Sequence, residues 1–121
     1  MKAGQRGYSN EIRTMDYLEK KGWVCIRAGG SKGVLEIDVL AYHLQTGEIK
    51  HIQSKSNGHY TAQDIHLWRT IRSVIKAPNV SFELWDWYDR NRYPVITVYN
   101  SDGTEVKYSE DPKMVQLMKG Q

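Results

Sequence analysis

Residues 34–55 read VLEIDVLAYHLQTGEIKHIQSK, and two segments within them alternate apolar and polar side chains. This period of two predicts two strands, over residues 34–42 and 49–55. Thr46 and Gly47 between them are typical of a turn. The stretch therefore predicts a pair of neighbouring strands, and the rest of the chain is interpreted around it.

Polar side chains collect on one face of this strand pair. Residues two apart share a face of a strand, so Glu36 and Asp38 point the same way, as do Gln53 and Lys55. If the strands pair as a hairpin, two carboxylates and an amide face a lysine. His51 shares the face of Gln53 but lies further along the strand, and we expect it on the surface. Alternatively, Asp38 and Lys55 form only an exposed cross-strand ion pair, an arrangement that contributes little to stability.

Apolar spacing and end signals place the remaining elements. Helices are predicted from a start between Arg6 and Ser9 to Lys21, from Thr61 to shortly before Pro78, and over 112–119. Asp64 gives the second helix a start like a capping box. Further strands are predicted over 23–27, 80–87, 95–99 and 106–108, and a glycine-containing loop over 28–33. The order helix, three strands, helix, strands predicts an α/β fold with a mixed central β-sheet flanked by helices.

Glu11 lies beside the apolar stripe of the first helix. That stripe consists of Tyr8, Ile12, Met15 and Leu18. Met15 and Leu18 follow Glu11 by four and seven residues, which puts them on the same side of a helix. A buried carboxylate is costly unless a cation or a metal ion compensates it. Glu11 is therefore a candidate site residue, unless it lies at the solvent edge of its helix.

Composition limits the class of protein. The chain has 121 residues, 40% of them hydrophobic, which fits one globular domain over residues 1–121. The single cysteine, Cys25, excludes an internal disulfide framework and a cysteine-rich zinc module. No stretch approaches the roughly 20 apolar residues that cross a bilayer, and no secretory signal region begins the chain. We expect a soluble, cytoplasmic protein with no membrane partner, from a prokaryote or a phage-infected cell.

The net charge of +3 is unevenly distributed. Residues 1–33 contain seven Lys or Arg and three Asp or Glu, a net charge of +4. Residues 34–59, which hold the candidate site, have two basic and three acidic residues, a net charge of −1. Clustered positive charge favours an anionic partner such as nucleic acid. The residues expected to contact phosphate are Arg6, Arg13, Arg27 and Lys32, unless Arg27 and Lys32 are only solvated strand ends.

The candidate site has the chemistry of a metal-dependent phosphodiesterase. Carboxylate and amide oxygens suit Mg²⁺ or Mn²⁺, hard cations that retain waters and bind phosphates. A lysine beside such an ion can position or deprotonate a water and can offset charge in the transition state.

An ordered set of short motifs resembles the archaeal-type Holliday junction resolvases of the PD-(D/E)xK nuclease superfamily. The set spans roughly residues 4–56 and consists of Arg6-Gly7, Glu11, Leu18-Glu19-Lys20-Lys21-Gly22-Trp23, Arg27-Ala28-Gly29-Gly30-Ser31-Lys32, Asp38 and Ile52-Gln53-Ser54-Lys55. The resemblance implies a restriction-endonuclease-like core and a two-fold homodimer that cuts four-way DNA junctions with Mg²⁺.

The resemblance also assigns roles to residues of this chain. It implies that Glu11, Asp38 and Lys55 are catalytic, with Asp38 as the central metal ligand. It further implies that Ser31 helps to hold the scissile strand. We expect Gln53 and the backbone carbonyl of Ser54 to complete the metal site, with Mn²⁺ as a substitute for Mg²⁺.

One residue departs from the resolvase pattern. Gln53 stands where these resolvases have Glu, and an amide oxygen carries no charge to attract Mg²⁺. Mrr-like members of the superfamily resemble this chain in using Gln-x-Lys. Glu36, on the face of Asp38, is hypothesised to supply the missing negative charge, unless it is simply solvated.

Aromatic and basic residues also cluster in the second half of the chain. They are Trp85, Trp87, Tyr88, Arg90, Arg92 and Tyr93. Alternation places Trp85 and Trp87 on the face of their strand opposite Phe82 and Leu84. We expect core packing for one tryptophan and a dimer surface for the other, where tryptophan is enriched.

Together these observations favour a Mg²⁺-dependent DNA endonuclease that resolves four-way junctions. Symmetric cutting of a junction needs two active sites and hence a two-fold dimer. One alternative is an Mrr-like nuclease on linear or modified duplex DNA. Another is a non-catalytic DNA-binding module in which Gln53 has weakened the metal site.

Overall fold

The computed structural model describes residues 3–28 and 37–113, with side chains from Ser9 onward in the first helix. Helix α1 spans Ala3–Glu19 and helix α2 spans Ala62–Val74. α1 therefore ends two residues before the predicted Lys21. Gly22, at a φ of +90°, lies in the turn that follows, a conformation that glycine adopts without steric cost. Most of the helix predicted over 112–119 lies outside the described residues.

Six strands follow the predicted positions closely. They are β1 (Trp23–Arg27), β2 (Val39–His43), β3 (Ile49–Ser56), β4 (Val80–Trp87), β5 (Val95–Tyr99) and β6 (Glu105–Ser109). β2 begins at Val39 instead of the predicted Val34, and Asp38 lies in a bend just before it. Residues 34–36, which include Glu36, lie outside the described part of the chain.

The strands form one sheet in the order β1-β2-β3-β4-β5-β6. Each neighbouring pair is antiparallel except β3 and β4, which are parallel and are connected through α2. A parallel connection needs a crossover, and α2 supplies it. The predicted α/β fold with a mixed sheet and a helix–three-strand–helix–strand order is confirmed.

A capping box begins α2 as predicted. The Thr61 side chain accepts a hydrogen bond from the Asp64 N–H at 3.1 Å, and Asp64 Oδ2 accepts one from the Thr61 N–H at 2.9 Å. Two otherwise unpaired N–H groups at the helix start are thereby satisfied. This box fixes where α2 begins relative to the end of β3.

Two hydrophobic cores cover the two faces of the sheet. The core between the sheet and α1 contains Leu18 of the helix and, from the strands, Val39, Ala41, Ile52, Trp85, Trp87 and Ile96. The face against α2 buries Trp68, Phe82, Leu84 and Tyr99. The predicted separation of the two tryptophans of β4 from Phe82 and Leu84 is thus confirmed. The interpretation of one tryptophan as a dimer surface is wrong, because Trp85 and Trp87 are 2% and 3% exposed within one chain.

A buried ion pair lies within the core beneath α1. Glu83 is 1% exposed and accepts hydrogen bonds from Lys50 Nζ at 2.6 Å, Ser81 Oγ at 2.6 Å and Trp85 Nε1 at 2.9 Å. Lys50 Nζ also lies 5.0 Å from the centre of the Trp23 ring. The partners compensate the cost of burying this carboxylate.

Among the described residues, no helix is long and apolar enough to cross a membrane.

Candidate active site

The sheet topology gathers the candidate residues at one end of the sheet. β2 is antiparallel to both β1 and β3, so its first residues lie beside the last residues of those strands. Arg27 ends β1, Asp38 precedes β2, and Lys55 lies next to the end of β3. The predicted hairpin of β2 and β3 is confirmed, with Val39 opposite Ile52.

Asp38 is held by its main chain and by its side chain. Its N–H donates to the Ile52 carbonyl at 2.9 Å, and its carbonyl accepts from the Ala28 N–H at 2.9 Å. Its carboxylate Oδ2 accepts a hydrogen bond from the Ser54 N–H at 2.8 Å. Asp38 is therefore fixed between the end of β1 and β3, because three separate hydrogen bonds set the position of its backbone and carboxylate.

Glu11 lies at this end of the sheet on α1. Its side chain is 13% exposed, and its Oε2 lies 2.5 Å from Nε of Arg27. Arg27 is thus the cation that compensates the charge of this largely buried carboxylate. Next to it, the Asn10 side chain donates a hydrogen bond to Ser56 Oγ, which ties α1 to β3.

Gln53 is buried and bonded to the opposite helix. Gln53 is 2% exposed and its Oε1 accepts a hydrogen bond from the indole N–H of Trp68, which is 1% exposed. An indole N–H can only donate, so the amide oxygen must be the atom that faces it. One of the two lone pairs of the oxygen expected to ligate a metal is thus already used.

Lys55 contacts the start of α2. Its Nζ lies 3.7 Å from Oδ2 of Asp64, the capping-box carboxylate, and the two side chains are 20% and 24% exposed. Burial raises the pKa of Asp64, but the Thr61 N–H and the nearby Lys55 outweigh burial, so that the pKa is lowered overall. The carboxylate that pairs with Lys55 in the described structure is therefore Asp64.

Ser54 presents polar atoms beside Asp38. Its N–H bonds the Asp38 carboxylate, and in a strand the carbonyl of the same residue points to the same side. Its hydroxyl oxygen is buried and has no hydrogen-bond partner among the described residues. The Ser54 carbonyl is consequently directed toward the Asp38 side of β3.

The predicted phosphate contacts are described only in part. The Arg13 guanidinium carbon lies 4.2 Å above the Trp87 ring, and its Nη2 donates to the Asn91 carbonyl at 2.6 Å. Burial lowers the pKa of Arg13, an effect partly offset by the charge of Asp89. Arg27 is 41% exposed and paired with Glu11. Ser31, Lys32 and the Arg6 side chain lie outside the described residues.

His51 is not the surface residue that the sequence predicted. Its ring stacks on Phe82 with the ring centres 4.7 Å apart and the planes at 11°. Burial lowers its pKa, an effect partly offset by a hydrogen bond with the Ser81 backbone. Its neighbour Phe82 comes from the parallel strand β4, which strand alternation alone could not place beside it.

Sequence reasoning overlooked two partners of the site. Trp68 belongs to the apolar stripe of α2 and holds Gln53, while Asp64 was recognised only as a cap. The one sequence signal for Trp68 was its position in a buried stripe, which does not reveal that its N–H faces a glutamine.

The donor set suits a hard divalent cation. Among the described residues, no cluster of three or more His, Cys, Asp or Glu side chains could hold a metal ion. The expected set differs in kind, since it combines the Glu11 and Asp38 carboxylates with the Ser54 carbonyl and the Gln53 amide oxygen. These are all oxygen donors of the type that Mg²⁺ binds, and Asp38 and Ser54 are adjacent.

Comparison with known proteins places the fold. No protein-family profile matches the sequence, and no curated protein matches it. Among solved structures, the chain is similar to Hjc, a Holliday junction resolvase from the archaeal hyperthermophile Archaeoglobus fulgidus. The match has a TM-score of 0.53 at 17% identity and covers 92% of this chain and 93% of that one. The chain therefore has the restriction-endonuclease-like fold that the sequence predicted.

Proposed function

We propose that this chain is a metal-dependent DNA endonuclease that acts on four-way junctions. The observation that carries the proposal is the Asp38 carboxylate, held by the Ser54 N–H at one end of a sheet whose fold is similar to that of a junction resolvase. Lys55 follows Ser54 directly, and Glu11 lies on the helix that covers this end of the sheet. The positive charge of residues 1–33 supports an anionic substrate.

Asp38, Glu11 and the Ser54 carbonyl are proposed to hold Mg²⁺, with Mn²⁺ as a substitute and Gln53 as an uncharged further ligand. Such an ion supplies charge stabilisation at the phosphoryl group and lowers the pKa of a bound water. The ion pair with the Arg27 guanidinium orients the Glu11 carboxylate. The hydrogen bond from Ser54 leaves Asp38 in one orientation, so that its geometry is set before substrate arrives.

Lys55 is proposed to act on the attacking water. Hydrolysis forms a bond between the water oxygen and phosphorus, breaks the bond from phosphorus to one sugar oxygen, and moves a proton from the water to that oxygen. An ammonium at this position orients the water and offsets the charge that develops on the phosphoryl oxygens. Asp64, 3.7 Å from Nζ, limits where the lysine can reach before DNA binds.

Cutting two strands of a junction symmetrically needs two copies of the site. A chain of this length has a radius of gyration of about 14 Å, whereas one turn of duplex measures about 34 Å. We therefore propose that the chain acts as a homodimer. Sedimentation of the protein with and without a junction measures this state directly.

The Gln53–Trp68 bond favours one alternative function. A non-catalytic DNA-binding module would retain the fold and the basic surface while the metal site is weakened. In such a module, the hydrogen bond between Gln53 and Trp68 would not impair function, because no metal ion has to be bound at Gln53.

One cleavage experiment separates these functions. A labelled four-way junction and a linear duplex of the same arm sequences are incubated with the protein in Mg²⁺ and in Mn²⁺. The proposal predicts paired nicks in the junction and little cleavage of the duplex. The isosteric Asp38→Asn variant should cut neither substrate. Equal cleavage of both substrates supports an Mrr-like nuclease instead.

Binding without cleavage in either metal supports the non-catalytic module and contradicts the endonuclease. Glu48→Gln, which removes an exposed carboxylate from the β2–β3 turn at the opposite end of the sheet, is a matched control with the same change of charge. Circular dichroism of both variants verifies that the fold is retained.

A further inference from the structure

The connection between β4 and β5, residues 88–94, lies at the same end of the sheet as the candidate active site. β3 and β4 are parallel, and Ser56 at the end of β3 is paired with Trp87 at the end of β4. The Asn57 N–H donates to the Trp87 carbonyl at 3.0 Å. Adjacent strands are about 4.8 Å apart, so this connection begins one strand away from the strand of Lys55.

Hydrogen bonds from two other elements fix this connection. The Asp89 N–H donates to Asn57 Oδ1 at 2.9 Å, and Arg13 of α1 donates to the Asn91 carbonyl at 2.6 Å. Arg90 adopts a φ of +63°, a conformation that costs energy for a residue other than glycine and needs support from its surroundings. The position of the loop is therefore set by the fold.

Two adjoining clefts border the loop, and we call them together the β4–β5 cleft. One, of about 350 Å³, is lined by Arg90, Asn91, Arg92, Tyr93, Asp111 and Lys113. The other is lined by Arg13, Asp16, Tyr17, Lys20, Trp87 and Arg92. Arg92 contributes to both, so the two clefts form one continuous surface from α1 to the β4–β5 loop.

Positive charge dominates this surface. Its lining contains five basic side chains and two carboxylates, Asp16 and Asp111. Arg90 and Arg92 are exposed, and neither forms an ion pair with a carboxylate of the described residues. Their guanidinium groups are thus available to an anion from outside the chain. Arginine suits phosphate because it can donate two parallel hydrogen bonds to one group.

The shape and position of the cleft indicate a polymeric anion. An open surface at the same end of the sheet as the candidate active site suits a backbone of successive phosphates better than a single small ligand, which an enclosed pocket would hold. Phosphate contacts of this kind fix the register of DNA without reading its sequence.

We propose that the β4–β5 cleft binds the DNA backbone next to the scissile phosphate, with Arg90 and Arg92 as direct phosphate contacts. This inference rests on the proposed function only in taking DNA as the ligand, because binding can be measured without cleavage. Arg13 acts through Asn91 and Trp87 by holding the loop in place. The cleft extends the DNA-binding surface beyond the basic residues of the first 33 positions.

The test measures how DNA affinity depends on salt. The double variant Arg90→Gln/Arg92→Gln removes two charges and keeps a polar side chain at each position. The control Lys76→Gln/Lys107→Gln changes the net charge equally at two exposed sites outside the cleft. Fluorescence anisotropy with labelled duplex and junction, in EDTA and over a series of KCl concentrations, gives the slope of log K against log [KCl] for each protein.

Each phosphate contact contributes about 0.9 to that slope, so the cleft variant should lower its magnitude by about 2. The control should leave the slope close to that of the unmodified chain. An unchanged slope in the cleft variant, or an equal decrease in the control, overturns the assignment of the cleft. If the unmodified chain binds DNA but never cuts it, the endonuclease proposal fails while the slope still tests the cleft. If it binds neither DNA, both proposals fail.

Discussion

The indole N–H of Trp68 donates a hydrogen bond to the carboxamide oxygen of Gln53, so α2 fixes the orientation of an amide in the middle of the candidate site. Both residues are at most 2% exposed. The bond joins the crossover helix to the strand that carries Lys55. Trp68 therefore determines how the amide of the proposed ligand Gln53 is presented.

The first prediction concerns Gln53→Glu. A glutamate can accept the same N–H from Trp68 with one oxygen and offer a second, charged oxygen to a cation. Two opposite charges about 4 Å apart attract by about 4 kcal/mol at an effective dielectric constant of 20. Mg²⁺ should therefore bind at least about tenfold more tightly, a change of about 1.4 kcal/mol, as measured by titration calorimetry without DNA.

Gln53→Leu serves as the matched control, because it removes the oxygen and keeps the volume. If Leu and Gln at this position bind Mg²⁺ equally, the amide is not a ligand. An affinity in the glutamate variant no higher than in the unmodified chain would contradict the proposed position of the metal.

The second prediction concerns the pairing of Lys55 with Asp64. Asp64→Asn keeps an oxygen that can cap Thr61 but removes the charge. Because the pKa of Asp64 is lowered in the folded chain, its carboxylate stabilises the fold at pH values above 3.8, the ordinary pKa of an aspartate. That contribution is lost as the pH falls through the lowered pKa. Urea unfolding between pH 7 and pH 2 should show a smaller acid-induced loss of stability in the Asn variant.

A control separates this charge from the helix cap. Thr61→Val removes the capping oxygen and should cost about 0.5–2 kcal/mol at every pH. Identical pH profiles for the Asn variant and the unmodified chain would contradict an ionic role for Asp64. At pH 7 the charge itself should contribute less than about 1 kcal/mol, since both side chains of the pair are partly exposed.

The third prediction concerns the stacked ring of His51. Burial lowers its pKa, so below the ordinary value of 6.5 the unfolded chain binds a proton more readily than the folded chain. Stability should therefore fall as the pH decreases from 6.5 toward 5. His51→Phe keeps an aromatic ring against Phe82 and should reduce this loss. His66→Ala, at an exposed position, is the control for removing one histidine from the chain.

The fourth prediction concerns the buried pair of Glu83 and Lys50. Glu83→Ala leaves the lysine without its partner in the core, which should destabilise the chain by about 3–5 kcal/mol in denaturant unfolding. Glu83→Gln keeps acceptors for Ser81 and Trp85 and should cost less. The double variant Glu83→Leu/Lys50→Met should recover most of the loss. A cost below about 1 kcal/mol for Glu83→Ala would show that Lys50 reaches solvent when unpaired.

Local pattern predicted most of the secondary structure. The alternation in β4 placed Trp85 and Phe82 on opposite faces, and Thr61 with Asp64 placed the start of α2. These features depend on neighbours within a few residues. The start of β2 was misplaced because 34–39 are apolar enough to extend the alternation, whereas the structure bends at Asp38.

Contacts between elements that are distant along the chain could not be predicted from local sequence patterns. Gln53 meets Trp68, and Arg13 meets Asn91 across 78 positions. The tryptophan that was expected at a dimer surface is covered by α1. The sequence pattern missed this because strand alternation does not indicate where a helix packs on the sheet. Parallel pairing of β3 with β4 likewise brought Phe82 onto His51.

The parallel pairing of β3 with β4 also leads us to expect a particular order of folding. Asp38, Ser54 and Glu11 lie in elements that are consecutive along the chain, and such local pairings form quickly. Docking of α2 and pairing of β4 must close a longer loop and follow more slowly. On the ribosome, the residues that would cut DNA are synthesised and paired before the loop that we propose grips it. The surroundings of Asp38 and Ser54 can therefore form before the β4–β5 connection is held beside them by Asn57 and Arg13.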